Sequence, residues 1–206
     1  EVIHGLRFVS VIRDGSRITG AEFRTGKGEP VRVKAKVVID GTETGDVFAA
    51  AGAGYDLGTD DPVESGEQEA RQKTSIIQDM TWVAILKDYG PGANKTIARP
   101  ANYDSTLYFC STADVPCNGV PYSFDTKKVL NYGRLPNGTY MLNWPAHGND
   151  YYLNITEADS ATRRAGYEKA RQHTLGFIYF LQTTGGMQHL GLAGDAPTLL
   201  EPQHDV

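Results

Sequence analysis

The stretch VVIDGTETGDVFAAAGAG, from Val37 to Gly54, is the part of the chain that most directly predicts the fold. It begins with three β-branched apolar residues, continues through a polar turn, and ends in an Ala-rich segment with closely spaced glycines. This order is typical of a buried strand, a tight turn and a short helix. Since ligands of α/β proteins bind beyond the carboxyl ends of the strands, we expect the turn to lie where a nucleotide cofactor is usually held.

The polar turn allows two interpretations. Gly41 and Gly45 would let the backbone approach a ligand closely, because no side chain intervenes. The cofactor-binding residues are then expected to be Asp40, Thr42, Glu43, Gly45 and Asp46. Alternatively, Thr42, Glu43 and Asp46 only form the turn and cap the helix, and spacing alone favours this second interpretation.

Strand signals precede this stretch. Leu6 to Ile12 and Ile18 to Arg24 are rich in β-forming residues, and Val31 to Asp40 alternates before it becomes fully apolar. Asp-Gly and Gly-rich turns separate the three runs, which is typical of hairpins. The pattern therefore predicts an antiparallel meander that feeds a buried strand.

The rest of the chain contains fewer clear elements. Thr74 to Leu86 and Thr139 to Trp144 are strand candidates, and Asp60 to Lys73 reads as a solvated loop or exposed helix. Pro121 to Leu135 is polar and predicts no distinct element. Asp159 to Thr184 predicts a long helix, because apolar residues recur on one face and an Asp-Ser pair can cap its start.

Composition excludes some classes of function. The 206 residues carry a formal net charge of -5, with acids concentrated in Asp60 to Glu69. Nucleic-acid binding needs a clustered basic surface, so this balance argues against it. The most apolar stretch, Leu175 to Leu181, is far too short to span a membrane.

The two cysteines allow two interpretations. Cys110 and Cys117 are separated by six residues and accompany neither a CxxC motif nor metal-spaced histidines, so no zinc site is predicted. They are either two unrelated buried thiols or a loop-closing disulfide. Three N-x-[ST] sequons begin at Asn94, Asn137 and Asn154. A disulfide and N-glycosylation together would favour a secreted protein, although the sequons could be accidental.

A second group of chemically active residues occurs in NWPAHGND, from Asn143 to Asp150. Trp144 offers an apolar wall with one hydrogen-bond donor. His147 could exchange a proton near neutral pH, and Asn149 and Asp150 could orient substrate hydroxyls. The alternative is a structural turn in which the backbone binds His147. A further histidine, inside the predicted long helix, is expected to be packed rather than catalytic.

The stretch IDGTETGDVFAAAGAGYDLG resembles a motif of FAD-dependent oxidoreductases that are often mislabelled as xanthan lyases. The typical form is Ile-Asp-Ala-Thr-Glu-x-Gly-Asp, a short helix, then Ala-Gly-x-x-Tyr-x-x-Gly, and here Gly41 replaces the usual Ala. The matching positions are Ile39, Asp40, Thr42, Glu43, Gly45, Asp46, Ala51, Gly52, Tyr55 and Gly58. The resemblance continues through Ile77 to Thr81 and is clearest from Asn143 to Asp150.

This resemblance implies an α/β fold, seen here as α+β. It would comprise part of a Rossmann-like FAD/NAD(P)-binding domain with an antiparallel meander, and a mixed-sheet substrate domain with one long helix. The expected domains are residues 1–58 for the partial FAD-binding domain and 59–158 for the substrate domain. Residues 159–206 would form the long helix and a tail that return towards the FAD-binding domain.

The resemblance also implies a function. FAD would accept hydride from a small hydroxylated substrate such as a carbohydrate. On chemical grounds rather than from the resemblance, we expect Gln78 and Trp144 to bind that substrate, His147 to take its hydroxyl proton, and Asn149 and Asp150 to orient its hydroxyls. The chain lacks the GxGxxG fingerprint, so we expect an internal fragment that binds FAD weakly or not at all without the remaining FAD-domain segments. The competing hypothesis is a secreted, non-catalytic binding or assembly module.

Overall fold

The computed structural model describes residues 2–60, 63, 66, 72–144 and 146–194. The chain forms two compact units. The first contains residues up to Ile77 together with Asn154–Ala158, and the second contains Gln78–Leu153 and the described residues from Asp159 onwards. This division differs from the expected boundary near residue 58. The long helix belongs to the second unit.

The first unit is built on an antiparallel meander of three strands. Strands β1 (Leu6–Asp14), β2 (Arg17–Thr25) and β3 (Pro30–Lys34) lie in that order, as the hairpin signals predicted. A two-residue turn joins β1 to β2, and Gly15 adopts the left-handed conformation that such a turn requires. At Gly20, a side chain would collide with the carbonyl oxygen of β3, so only glycine fits this strand pairing.

The buried strand expected at the end of this meander is absent. Strand β3 ends at Lys34, and Val37 and Ile39 are 75% and 87% exposed. An apolar, β-branched run indicates that a segment suits a covered sheet, but it does not supply the neighbouring strand. The short helix does form, as α1 (Asp46–Ala50), and Gly52 follows it in the left-handed conformation typical of a helix end.

The second unit contains two small sheets and two helices. Its strands and helices are β4 (Met80–Thr81), β5 (Ala84–Asp88), α2 (Thr126–Tyr132), β6 (Arg134–Leu135), β7 (Thr139–Leu142), β8 (Asp150–Tyr151), α3 (Ser160–Thr183) and β9 (Leu190–Leu192). Two 3₁₀ turns lie at Ser105–Tyr108 and Pro136–Gly138. Strand β4 pairs with β8, and the larger sheet has the order β6-β7-β5-β9.

Every strand pair among the described residues is antiparallel, so the expected mixed sheet is wrong. The single strand expected from Thr74 to Leu86 is divided into β4 and β5, and its first six residues form no strand. Helix α2 lies in the segment for which the sequence predicted no element. The expectations for Asp60 to Lys73 and for the tail fall largely outside the described residues.

Helix α3 organises the core of the second unit. Asp159 caps its start, because the carboxylate accepts hydrogen bonds from the amides of Ala161 and Thr162. Its buried face packs against the aromatic and aliphatic residues of the sheets, among them Trp82, Leu86, Leu142 and Trp144. Gly176 in this helix leaves room for the Tyr108 side chain, which a Cβ would displace. Among the described residues, no helix is long and apolar enough to cross a bilayer.

Candidate functional site

The turn expected to contact a cofactor lies in the first unit, and Asp40 organises it. One carboxylate oxygen accepts hydrogen bonds from the amide and hydroxyl of Thr42, at 2.9 and 2.7 Å. The other accepts from the amides of Val47 and Phe48 at 3.0 and 2.9 Å, at the start of α1. The Thr42 hydroxyl in turn accepts from the Asp46 amide at 2.9 Å. Thr42 therefore caps α1, as the structural interpretation of this turn predicts. Asp40 caps it as well, which that interpretation did not include.

The charge of Asp40 is stabilised by the same contacts. Partial burial raises the pKa of its carboxyl, but the hydrogen bonds from Thr42, Phe48 and Val47 outweigh burial and hold the pKa below its usual value. The carboxylate is thus ionised at neutral pH and satisfies amides that would otherwise lack partners.

These contacts decide how well the turn fits FAD. A phosphate binds at a helix start through unoccupied amides, whereas the amides of Val47 and Phe48 are occupied by Asp40. Gly45 is needed because a Cβ there would collide with the Phe48 ring, and a Cβ on Gly41 would meet nothing within 4 Å. The turn therefore does not fit the FAD pyrophosphate at α1, although the open backbone at Gly41 allows close approach of a ligand.

The second unit contains a cleft of about 880 Å³. It lies beside α2, strand β4 and the segment that follows β7. Its lining residues are Gln78, Asp79, Thr81, Tyr122, Phe124, Lys128, Asn131, Tyr132, Asn143, Trp144 and Asp150. The structure thus brings together three residues that the sequence proposed for the substrate site: Gln78, Trp144 and Asp150.

One side of the cleft is aromatic. Tyr122 packs edge-to-face on Trp144 and on Phe124, with ring centres 5.0 and 5.5 Å apart. The Trp144 indole N–H donates to the Ser111 carbonyl at 2.9 Å, so the protein itself uses the donor that the sequence offered to substrate. Tyr132 is 79% exposed at the end of α2 and lies on the solvent side of the lining.

The lining also contains polar residues. It presents two carboxylates, Asp79 and Asp150, together with the amide side chains of Gln78, Asn131 and Asn143. The Thr81 hydroxyl donates to Asp150, which fixes one oxygen of that carboxylate. The cation of Lys128 lies 3.7 Å from the centre of the Phe124 ring. Aromatic rings and hydrogen-bonding groups in one cleft suit a molecule with an apolar face and several hydroxyls.

The other two residues proposed for catalysis do not line this cleft. Asn149 is fully buried, accepts from the Trp144 amide at 2.8 Å, and donates to the carbonyls of Trp82 and Leu142 at 3.1 and 3.0 Å. The Asn149 side chain is therefore occupied by three backbone groups, and this arrangement does not support a role in orienting a substrate hydroxyl. His147 is exposed, in a left-handed backbone conformation. Pro145 lies outside the described residues.

The histidine of α3, His173, is packed beneath the same segment. Its Nε2 lies 2.9 Å from the Gly148 carbonyl oxygen, and its ring is tilted against Tyr108 and Tyr151. Burial lowers the pKa of His173, and the Gly148 hydrogen bond and the charge of Asp150 only partly oppose this. A neutral His173, whose Nε2–H donates to the Gly148 carbonyl, therefore stabilises the chain segment that contains Gly148.

Sequence reasoning missed the helix that forms one wall of the cleft. Tyr122, Phe124, Lys128, Asn131 and Tyr132 all come from the segment that predicted no element. A signal was present: Asp125 caps α2 by accepting from the Lys128 amide at 2.7 Å, and a glycine ends the helix seven residues after Thr126 begins it.

The remaining residues singled out from the sequence lie as follows. Cys110 and Cys117 are joined by a disulfide, and the sequon residues Asn94, Asn137 and Asn154 are all exposed. In the part of the chain that the structure describes, no group of three or more His, Cys, Asp or Glu side chains is arranged to hold a metal ion.

Comparison with known protein families finds a match over nearly the whole chain. The model of the family described as FAD dependent oxidoreductase matches residues 1–200. No curated protein and no solved structure matches the chain.

Proposed function

Because the chain belongs to the family of FAD-dependent oxidoreductases, as its motifs suggested, we propose that its cleft binds the substrate of a flavin-dependent oxidation. The substrate is a small hydroxylated molecule, with a carbohydrate as the class that fits best. The observation that carries this proposal is the pairing of aromatic rings with carboxylate and amide groups in one cleft of about 880 Å³. The family match does not favour the alternative of a non-catalytic module.

The lining residues support distinct roles. Tyr122 and Tyr132 offer ring faces for the apolar side of a sugar, and Asn131 and Asn143 offer donors and acceptors for its hydroxyls. In the family's chemistry, bound flavin accepts the hydride that leaves the substrate carbon. The hydroxyl on that carbon must then lose its proton to a base.

Asp150 is the best-placed base of the three residues proposed from the sequence. Its carboxylate lines the cleft, and the hydrogen bond from Thr81 leaves acceptor capacity on the carboxylate for a substrate hydroxyl. His147 lies outside the lining and Asn149 is committed to backbone groups. We therefore assign the proton-accepting role to Asp150 in preference to His147.

The experiment that tests this proposal is saturation-transfer NMR with a panel of monosaccharides and alditols. We expect at least one sugar to receive saturation from the chain. Tyr132→Ala should reduce that signal several-fold, since the packing of an aromatic ring contributes about 1 kcal/mol. The matched control is Tyr152→Ala, an exposed tyrosine of the same unit that does not line the cleft. Equal loss in both variants, or no binding by any sugar, would contradict the proposal.

We also infer an extracytoplasmic location. The Cys110–Cys117 disulfide and the exposure of all three sequon asparagines support it. Treatment of natural material with an N-glycosidase is expected to lower its mass, and a mass equal to that of the bare chain would count against glycosylation.

A further inference from the structure

The aromatic wall of the cleft, formed by Tyr122, Phe124 and Trp144, is attached to a short loop closed by a disulfide. This disulfide loop runs from Cys110 to Cys117. Its backbone binds three wall residues directly: the Ser111 carbonyl accepts from the Trp144 indole at 2.9 Å, and the Cys110 carbonyl accepts from the Tyr122 amide at 3.1 Å. The Ala113 amide completes the set by donating to the Phe124 carbonyl at 2.9 Å.

The same loop also holds the start of α2. The Asp114 carboxylate accepts from the Thr126 amide at 3.0 Å and from the Thr112 hydroxyl at 2.6 Å. Thr112 and Thr126 are fully buried, and their hydroxyl oxygens lie 2.9 Å apart. Partial burial raises the pKa of the Asp114 carboxyl, but these hydrogen bonds outweigh burial and hold the pKa below its usual value, so a charged carboxylate accepts them at neutral pH. The helix that carries Lys128 and Tyr132 is thus fixed through the loop.

The shape of the loop is not one that its sequence favours. Cys110 has a positive φ of 68°, which residues with a side chain adopt rarely. Two contacts hold this conformation. The Cys110 amide donates to the Pro116 carbonyl at 2.9 Å, and the disulfide joins Cys110 to Cys117, the residue after Pro116. Breaking the disulfide removes the covalent part of that restraint.

We propose that the Cys110–Cys117 disulfide positions the aromatic wall of the cleft, so that its reduction weakens ligand binding while the helical core of the same unit stays folded. The affinity of the cleft then depends on the thiol–disulfide state of its surroundings. The statement about affinity rests on the proposed function, whereas the statement about the wall does not.

The disulfide is open to the reaction that this requires. Cys110 is only 3% exposed, but Cys117 is exposed. A dithiol such as dithiothreitol attacks the Cys117 sulfur as a thiolate, the bond to Cys110 breaks, and Cys110 leaves with the electron pair and takes up a proton. The second thiol of the reagent then releases Cys117 as a thiol, and the reagent is oxidised to its cyclic disulfide.

The test is residue-resolved amide hydrogen exchange on the whole chain, oxidised and then reduced with dithiothreitol. We expect exchange of the Tyr122, Ala113 and Thr126 amides to become about tenfold faster on reduction, and the α3 amides from Phe177 to Leu181 to change less than about twofold. Reoxidation should restore the first rates. The Cys110→Ser, Cys117→Ser double variant should match the reduced protein.

Three outcomes decide the proposal. Faster exchange in the wall alone supports it. Equal acceleration in the wall and in α3 would show that the disulfide stabilises the whole unit, and no acceleration would show that it positions nothing; either result overturns the proposal. Where a monosaccharide from the panel binds the oxidised chain, its dissociation constant should rise about tenfold or more on reduction. If no sugar binds, the substrate assignment fails and the exchange rates still test the wall.

Discussion

Asp40 shows how one side chain can look like a cofactor contact and act as a structural cap. Its carboxylate receives four hydrogen bonds, two of them from the amides of Val47 and Phe48. An acid after an apolar run is compatible with both roles. Spacing favoured a structural role for the turn as a whole, but it did not identify Asp40 as the residue that caps α1. The same holds for Asn149, whose amide would suit a sugar hydroxyl but satisfies three buried backbone groups instead.

Replacement of Asp40 should loosen the start of α1. The Asp40 carboxylate accepts with both of its oxygens, whereas an Asn side chain has only one acceptor oxygen. Asp40→Asn therefore cannot keep all four hydrogen bonds, and we expect a local loss of about 1 kcal/mol or more. Amide exchange at Val47 and Phe48 measures it. The control is Asp14→Asn, an exposed acid of the same unit. Unchanged exchange in Asp40→Asn would show that the cap contributes little.

The same carboxylate should make α1 sensitive to acid. Its folded pKa lies below the unfolded value of about 3.9, so its stabilising effect is fully present above that pH and is lost as the pH falls through the folded pKa. Amide proton shifts of Val47 and Phe48, followed by NMR, should show a midpoint below about 3.9 that is missing in Asp40→Asn. A midpoint at or above that value would contradict the assignment.

At the scale of elements, the hairpins and the long helix were predictable and α2 was not. The hairpins combine β-branched runs with Gly-containing turns, and α3 has a capping Asp and a sustained apolar face. Helix α2 buries only Thr126, Val129 and Leu130, because its other side lines an open cleft. A short helix with so narrow an apolar stripe gives a weak periodic signal.

Because α2 buries few apolar residues, we expect its N-terminal cap to contribute much of the stability of the helix. We expect Asp125→Ala to destabilise α2 by about 1 kcal/mol, because the Lys128 amide loses its acceptor. Amide exchange within α2 should become about fivefold faster. Asp125→Asn is the matched control, since it keeps an acceptor oxygen, and it should exchange nearly as the wild type. Identical rates in all three proteins would mean that tertiary contacts alone hold the helix.

At the scale of the whole molecule, the family could be predicted and the division of the chain could not. The motif around Asp40 and the segment from Asn143 to Asp150 led to the family that matches residues 1–200. The boundary after Ile77 escaped prediction because the first unit also includes the distant Asn154–Ala158. Within that unit, the Tyr55 hydroxyl donates to Glu157 at 2.9 Å, a contact between residues 102 positions apart that local patterns cannot reveal.

The occupied amides of α1 also bear on cofactor binding by the chain. We expect this 206-residue chain to remain unsaturated at about 10 μM FAD, because it lacks the GxGxxG segment and because Asp40 occupies the amides at the start of α1. Quenching of flavin fluorescence during a titration measures this. A yellow protein purified with one FAD per chain would contradict the prediction. The Asp40→Ala variant tests the cause, since tighter binding by that variant would identify the carboxylate as the obstacle.

The return of Asn154–Ala158 to the first unit has a consequence for how this protein can be taken apart. Among the described residues, the polypeptide passes between the units after Ile77, again after Leu153 and once more after Ala158. Neither unit is therefore encoded by one uninterrupted stretch of gene. A single protease cut after Leu153 or after Ala158 leaves residues 1–77 covalently joined to the second unit, whereas a cut after Ile77 releases them and leaves Asn154–Ala158 attached to the second unit. Neither unit can be exchanged between relatives by swapping one contiguous segment.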